Sequence, residues 1–211
     1  VDALGGLSAL EMANKNIDSK IKIASLNVRD FDATNIGDSS NSKKDIVDFI
    51  TQHDLDVFIS MESNKDIMSD ILATLNKVTK HKYEPIGYAM ADKTTEDKSR
   101  IDALTILSRY PMTFSSIPAS SNVVDPVTQQ QYANNEARPM LRANINIRGQ
   151  EFIFFVVHLK SGVGSPREVA SNHPTFGNMH IRRGQAKAFY DFIAPVINDP
   201  TKNVIICGDF N

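Results

Sequence analysis

The sequence predicts an α/β fold built on mixed β-sheets covered by helices. From Ile21 onward, short apolar runs of strand character alternate with segments of helical periodicity, the pattern of sheets packed against helices. The tripeptide Arg148-Gly149-Gln150 reads as a hairpin turn between two strands, so part of the sheet structure must be antiparallel. A length of 211 residues suits one domain with a sizeable core.

Taken in chain order, residues 1–20 carry little periodicity around Gly5-Gly6 and LSALEMA and are expected to form a leader, with the domain proper running from 21 to 211. IKIASLNV is the first strand. SKKDIVDFITQ is the first helix: Ser42 and Asp45 resemble a capping box, and Ile46, Phe49 and Ile50 share one face. DVFISM is the second strand, and Ile67, Ile71, Leu72 and Leu75 mark a second helix. YEPIGYAM and DALTILS read as strands on either side of ADKTTEDKSR, a charged stretch at 91–100 expected to be a solvated loop. PMLRANINI and EFIFFVVHL flank the hairpin turn. Ala186, Phe189, Tyr190, Ile193 and Val196 predict a third helix over 180–197, and NVIICG is the last strand. There is no internal repeat and no low-complexity tract.

A net charge of -2 gives no broad basic field, so contact with nucleic acid has to come from a local patch. The longest apolar run, FIFFVV at 152–157, is far short of the roughly 20 residues a spanning helix needs, so no transmembrane segment is expected. The single cysteine, Cys207, cannot form an intrachain disulfide and is expected to be a buried small hydrophobe. Val1 in place of Met points to a processing site or a cut boundary, a start compatible with a secreted or periplasmic protein after signal removal; the compartment stays open.

Polar residues end four of the apolar strands. Asn27 ends the first, Glu62 follows DVFISM, His158 follows FFVV, and Asp209 and Asn211 follow VIICG. Strand ends are where layered α/β folds bind ligands, because the sheet fixes side chains while loops shape the cleft. Each residue also has an ordinary reading: Asn27 as a turn cap, Glu62 as a helix-start acid before SNKD, His158 as a satisfied core histidine, GDFN as a turn. Against these stand the cost of burying the Glu62 carboxylate beside DVFISM without a cation, and the cation and hydroxyl of HLKSG beyond His158. Asp209 and Asn211 lie two apart, so a continuing strand would point both side chains the same way.

With IASLNV, DVFISME, LSRYPM, VVHLKSG, RRGQAKAF and IICGDFN in this order, residues 21–211 resemble the endonuclease/exonuclease/phosphatase superfamily, the deoxyribonuclease I-like fold. The resemblance implies a two-sheet mixed β sandwich flanked by helices in four layers, with a divalent metal at the sheet edge and activity on phosphate esters of nucleic acids, sphingomyelin or inositol lipids. It implies metal-side roles for Asn27 and Glu62, with Glu62 the direct ligand. His158 matches the residue contacting the scissile phosphate, Asp209 the group that orients the attacking water, and Asn211 the amide that holds the phosphate. Arg182, with Arg183 as the alternative, matches an arginine near the cleft. Ser108, Arg109, Arg138 and Pro139 match flanking signatures for which a structural role is expected. An oxygen-rich site with one carboxylate suits Mg²⁺ or Mn²⁺ rather than zinc.

The sequence departs from the family twice. Arg29 stands where many nuclease relatives carry an acid, and the closing Ser-Asp-His is missing beyond Asn211, Ser171-Asn172-His173 being read as a loop. The expectation is therefore a fold incomplete at its C-terminus, inactive or slow as written, with an unpaired sheet edge open to edge-strand dimerisation. Nucleic acid is the expected substrate, with Lys160, Arg167, His173 and His180 held by the loop from 160 to 179, which is able to line a phosphate backbone. A lipid or inositol phosphatase, a sphingomyelinase-like enzyme and a non-catalytic binding module are the alternatives. A lipid substrate would call for an exposed apolar hairpin near the cleft, and none is evident in the sequence.

Overall fold

The computed structural model describes residues 20–28, 36–90, 103–133, 138–160 and 179–211. Ten strands and three helices are seen among them: β1 Ile23–Asn27, α1 Ile36–Gln52, β2 Val57–Ser63, α2 Lys65–Val78, β3 Gly87–Met90, β4 Ala103–Ser108, β5 Met112–Ile117, β6 Asn122–Val124, β7 Gln131–Ala133, β8 Met140–Ile147, β9 Gln150–His158, α3 Met179–Ile197 and β10 Asn203–Asp209. One sheet has the order β1-β2-β4-β3 and the other β10-β9-β8-β5, while β6 and β7 form a separate ribbon.

Both main sheets are mixed, as expected. β1 runs parallel to β2 and β10 parallel to β9, whereas β4, β8, β3 and β5 join antiparallel. The β8–β9 hairpin is closed by Arg148 and Gly149, with φ of 54° and 87°. Two successive positive φ values are the two-residue turn whose twist matches that of the strands it joins.

Strand periodicity sorts the core into layers. Val57, Ile59 and Met61 of β2 face Leu141, Phe154 and Val156 of the second sheet, forming the apolar seam between the sheets. The alternate residue, Phe58, points outward onto α1 and α2, where it meets Ile50, Met68, Ile71 and Leu75. On the far side Phe155, Val157 and Met140 pack beneath Ile193 of α3. Helices, sheet, sheet and helix thus make the four layers. Fully buried side chains such as Phe58 and Phe154 contribute about 2–3 kcal/mol each from area removed from water.

Four details differ from expectation. α1 begins at Ile36, so Ser42 lies inside the helix and does not start it. β5 was not foreseen because its residues, MTFSSI, are mostly exposed and lack an apolar alternation. β6 and β7 have three residues each, too few for periodicity to register. On α3, Ile193 is buried and Phe189 packs on the sheet, but Tyr190 is 51% exposed, so the helix presents a narrower apolar face than its spacing suggests. The leader through residue 19 and the charged stretch 91–100 lie outside the described residues, as do Arg29, Arg167 and His173. No helix among the described residues is long and apolar enough to cross a membrane.

Candidate active site

The parallel pairs β1–β2 and β9–β10 carry their C-terminal ends to one rim. Asn27 pairs in register with Met61, next to Glu62, and Asp209 pairs with His158. Four of the expected residues meet there. The Asn27 side-chain amide donates from Nδ2 to Glu62 Oε1 at 2.9 Å and to Asp209 Oδ2 at 2.9 Å. His158 Nε2 stands 3.4 Å from Glu62 Oε1.

Local sequence explains how Glu62 is aimed. The β2–β4 register shifts between Ser60 and Ser63, and Glu62 inside this bulge takes a left-handed φ of 53°. Bulges of this kind re-aim a side chain beside a site. Beneath it a buried hydroxyl ladder fixes the strand: Ser60 Oγ and Thr105 Oγ1 lie 2.5 Å apart, and Ser63 Oγ donates to the Ala103 carbonyl at 2.9 Å. Glu62 is not the helix-start acid of α2. Asn64 caps that helix by accepting from the N–H groups of Asp66 and Ile67, and Asp66 is the acid of its first turn.

His158 is 4% exposed, as a core histidine would be, yet it ends β9 on the inner face and reaches the Glu62 carboxylate. The Asp209 carboxylate accepts Asn27 Nδ2 on one oxygen and the Asn211 N–H on the other, at 2.9 Å each. Burial works to raise its pKa. The Asn27 bond, the Asn211 N–H and the charges of His158 and Arg138 outweigh burial and hold it below the usual carboxylate range.

Asn211 corrects one expectation. The strand ends at Asp209, and Asn211 turns back with a φ of 54°. Its amide therefore does not run parallel to the Asp209 side chain; Nδ2 donates to the Leu159 carbonyl at 3.0 Å. Both readings of GDFN hold in part, a strand through Asp209 and then a turn closed by its side chain. The approach of β10 to β9 depends on Gly208, whose φ is 131° and where an added Cβ would come within 1.9 Å of the Val157 carbonyl oxygen.

Arg182 lies on α3, and its Nη1 donates to the Lys160 carbonyl at 3.5 Å, two residues beyond His158. Arg183 faces elsewhere, onto Asp125. Ser108 and Arg109 lie at the opposite end of β4, Ser108 being level with Val57, and Arg109 pairs with Asp54 at 2.8 Å. Two side chains gain weight from the structure. Arg138 Nη1 donates to the Leu159 carbonyl at 3.1 Å, and its charge reaches Asp209. Gln185 Oε1 accepts the Lys160 N–H at 2.7 Å, so α3 holds the backbone where β9 leaves the sheet. The R-x-x-Q spacing, one helical turn, was the signal for Gln185.

The family model described as Endonuclease/Exonuclease/phosphatase family matches residues 24–211. The chain belongs to the endonuclease/exonuclease/phosphatase family. Solved structures agree on the fold. An endonuclease/exonuclease/phosphatase family protein from Leptotrichia buccalis superposes with a TM-score of 0.56 at 17% identity, covering 91% of this chain and 67% of that one. The human Nocturnin catalytic domain with bound sulfate anion gives 0.56 at 15%, covering 90% and 64%. D. rerio TDP2 complexed with single strand DNA product gives 0.51 at 19%, covering 92% and 62%. The chain thus spans about two thirds of the length of these relatives. Among curated proteins none matches at a significant level.

As a member of a family of nucleases and phosphatases, the chain has the fold of a phosphate-ester hydrolase. Its rim gathers the Glu62 and Asp209 carboxylates on either side of the Asn27 amide, with the His158 imidazole 3.4 Å from Glu62. Among the described residues no three His, Cys, Asp or Glu side chains are grouped to hold a metal. Carboxylates and an amide, without a thiolate, suit a hard, octahedral cation better than a structural zinc site.

Proposed function

We propose that the chain carries the metal and phosphate side of a divalent-metal-dependent phosphodiesterase acting on nucleic acid. The observation that supports it is the meeting of Asn27, Glu62, His158 and Asp209 at one rim, from four separate strands. Glu62, with Asn27 beside it, would hold Mg²⁺ or Mn²⁺, which offsets charge on the phosphate oxygens when bound. Asp209, kept ionised by its hydrogen bonds, orients the attacking water. His158 and Asn211 donate to the phosphate, and Arg182 adds a cation at the α3 edge. For Asn211 this requires its amide to leave the Leu159 carbonyl. Nucleic acid is favoured by the relative whose structure holds a single-strand DNA product.

The β6–β7 ribbon supports a second reading, a lipid phosphodiester. It exposes Val124 and Val127, at 48% and 69%, on a hairpin whose Val123 adjoins the same cavity as His158. That hairpin answers the criterion the sequence left unmet.

The test is calorimetric titration of Mn²⁺ into the 211-residue chain and into Glu62→Gln, alongside cleavage of a labelled single-stranded oligonucleotide and of sphingomyelin vesicles with Mg²⁺ or EDTA. Glu62→Gln is expected to lose Mn²⁺ binding while its circular dichroism stays native. Metal binding that survives the substitution would overturn the assignment. Cleavage of vesicles and not of the oligonucleotide would select the lipid reading.

A further inference from the structure

A cavity of about 230 Å³ opens beside the rim, on the outer face of the second sheet. Ile117, Pro118 and Val123 form one wall, and Phe189 and Phe192 of α3 the other. Its inner end is Leu159, whose carbonyl accepts both the Asn211 amide and the Arg138 guanidinium, so cavity and candidate site share a wall.

The wall bearing Val123 is held in an unusual way. The β6–β7 ribbon pairs with neither main sheet and is fastened to α3 through Asp125, which is fully buried. Asp125 Oδ2 lies 2.7 Å from His180 Nδ1 and also accepts from Arg183, while its other oxygen takes the Val127 N–H at 2.9 Å. The His180 ring stacks on Tyr132 at 5.2 Å, and Gly184 lets β6 come so close that a Cβ there would sit 2.7 Å from the Val123 Cβ. A buried charge cluster fixes position better than it adds stability.

We propose that this cavity is a subsite for the planar ring carried next to the scissile phosphate, a nucleobase or other aryl-sized group. The proposal rests on the phosphodiesterase reading of the Glu62 rim. Three observations carry it. The cavity exceeds the roughly 150 Å³ that admits benzene in an apolar protein interior. Its lining includes Pro118, Pro139, Phe189 and Phe192, ring side chains of the kind on which flat rings stack, among aliphatic neighbours. Arg138 lines the cavity and donates to the Leu159 carbonyl, which puts a cation at the wall shared with the rim.

The test compares inorganic phosphate, phenyl phosphate and hexyl phosphate by calorimetry in Mg²⁺, with benzene binding followed by NMR. Phenyl phosphate is expected to bind about tenfold more tightly than inorganic phosphate, the gain from burying part of one ring. Benzene is expected to shift the methyl signals of Val157 and Leu159 and leave those of Leu26 unmoved. Ala188 lines the cavity from an exposed helical position. Ala188→Phe should fill the space and erase the phenyl advantage, whereas Ala186→Phe on the exposed side should keep it. Equal affinity for phosphate and phenyl phosphate, or an advantage that survives Ala188→Phe, overturns the proposal. Tighter binding of hexyl than phenyl phosphate overturns the ring assignment in favour of an acyl chain. Loss of phosphate binding with benzene still seated counts against the hydrolase reading, and loss of benzene with phosphate retained counts against the subsite.

Discussion

The Asn27 amide and the Asp209 carboxylate, 182 residues apart in the chain, meet at 2.9 Å. The same amide nitrogen binds Glu62, so a neutral group with two N–H bonds keeps two carboxylates together. Replacing Asn27 by Ala removes the donor that those two carboxylates share. Its expected cost at pH 7 is about 1–3 kcal/mol, the penalty for stranding hydrogen-bonding groups. The gap to the unaltered chain should narrow at low pH, as protonation of Asp209 relieves the repulsion, and should narrow at pH 7 when Mg²⁺ is added. Urea unfolding under the three conditions checks this.

Asp209 gives a pH dependence with a defined sign. Its pKa in the folded chain lies below the ordinary value, so it stabilises the fold above the unfolded pKa and loses that effect as pH falls through the folded pKa. The chain should therefore weaken as the pH drops below about 4, the ordinary carboxylate range. Asp209→Asn, which cannot titrate, should be less stable at pH 7 and show a shallower decline between pH 5 and pH 3. Parallel profiles for the two proteins would assign the acid transition to other carboxylates.

At Gly184 two effects oppose each other. Glycine to alanine inside a helix ordinarily gains about 1 kcal/mol. Here the new methyl would meet Val123 at 2.7–2.8 Å and the Val124 carbonyl at 3.1 Å, with backbone among the contacts that must give. Overpacking of this kind costs about 1–3 kcal/mol, so the net effect of Gly184→Ala should be destabilising. Amide exchange should quicken in β6 and β7 while β8 and β9 stay protected.

Burial pushes the Cys207 thiol up to about 12. Little thiolate is then present at pH 8, and the group points its weak donor at the Phe155 carbonyl, 3.7 Å away. Iodoacetamide should label the folded chain far more slowly than chain unfolded in urea. Equal rates would show that β10 opens readily from β9.

The rim was legible because parallel strands deliver their ends to one place, and the sequence marks those ends by a switch from apolar to polar at Asn27, Glu62, His158 and Asp209. Orientation was less legible. Asn211 lies two residues past Asp209 but leaves the strand by a turn that no alternation announces. The β6–β7 ribbon was invisible for a similar reason: three-residue strands carry no period, and the contacts that hold them join Asp125 to His180 and Arg183, more than fifty residues further along the chain. Arg138 was seen only as part of a strand signature, because its reach to Leu159 depends on how β8 and β9 register.

β5 and β8 are direct antiparallel neighbours, with Ile117 opposite Met140. A tight connection there would complete the sheet, yet the chain detours through β6 and β7 before returning. The detour breaks no ladder of either sheet, so apart from Val123 and Asp125, which seat it on α3, its length and composition can change while the scaffold keeps its shape. The ribbon beside the rim is thus separable from the two sheets that set the rim.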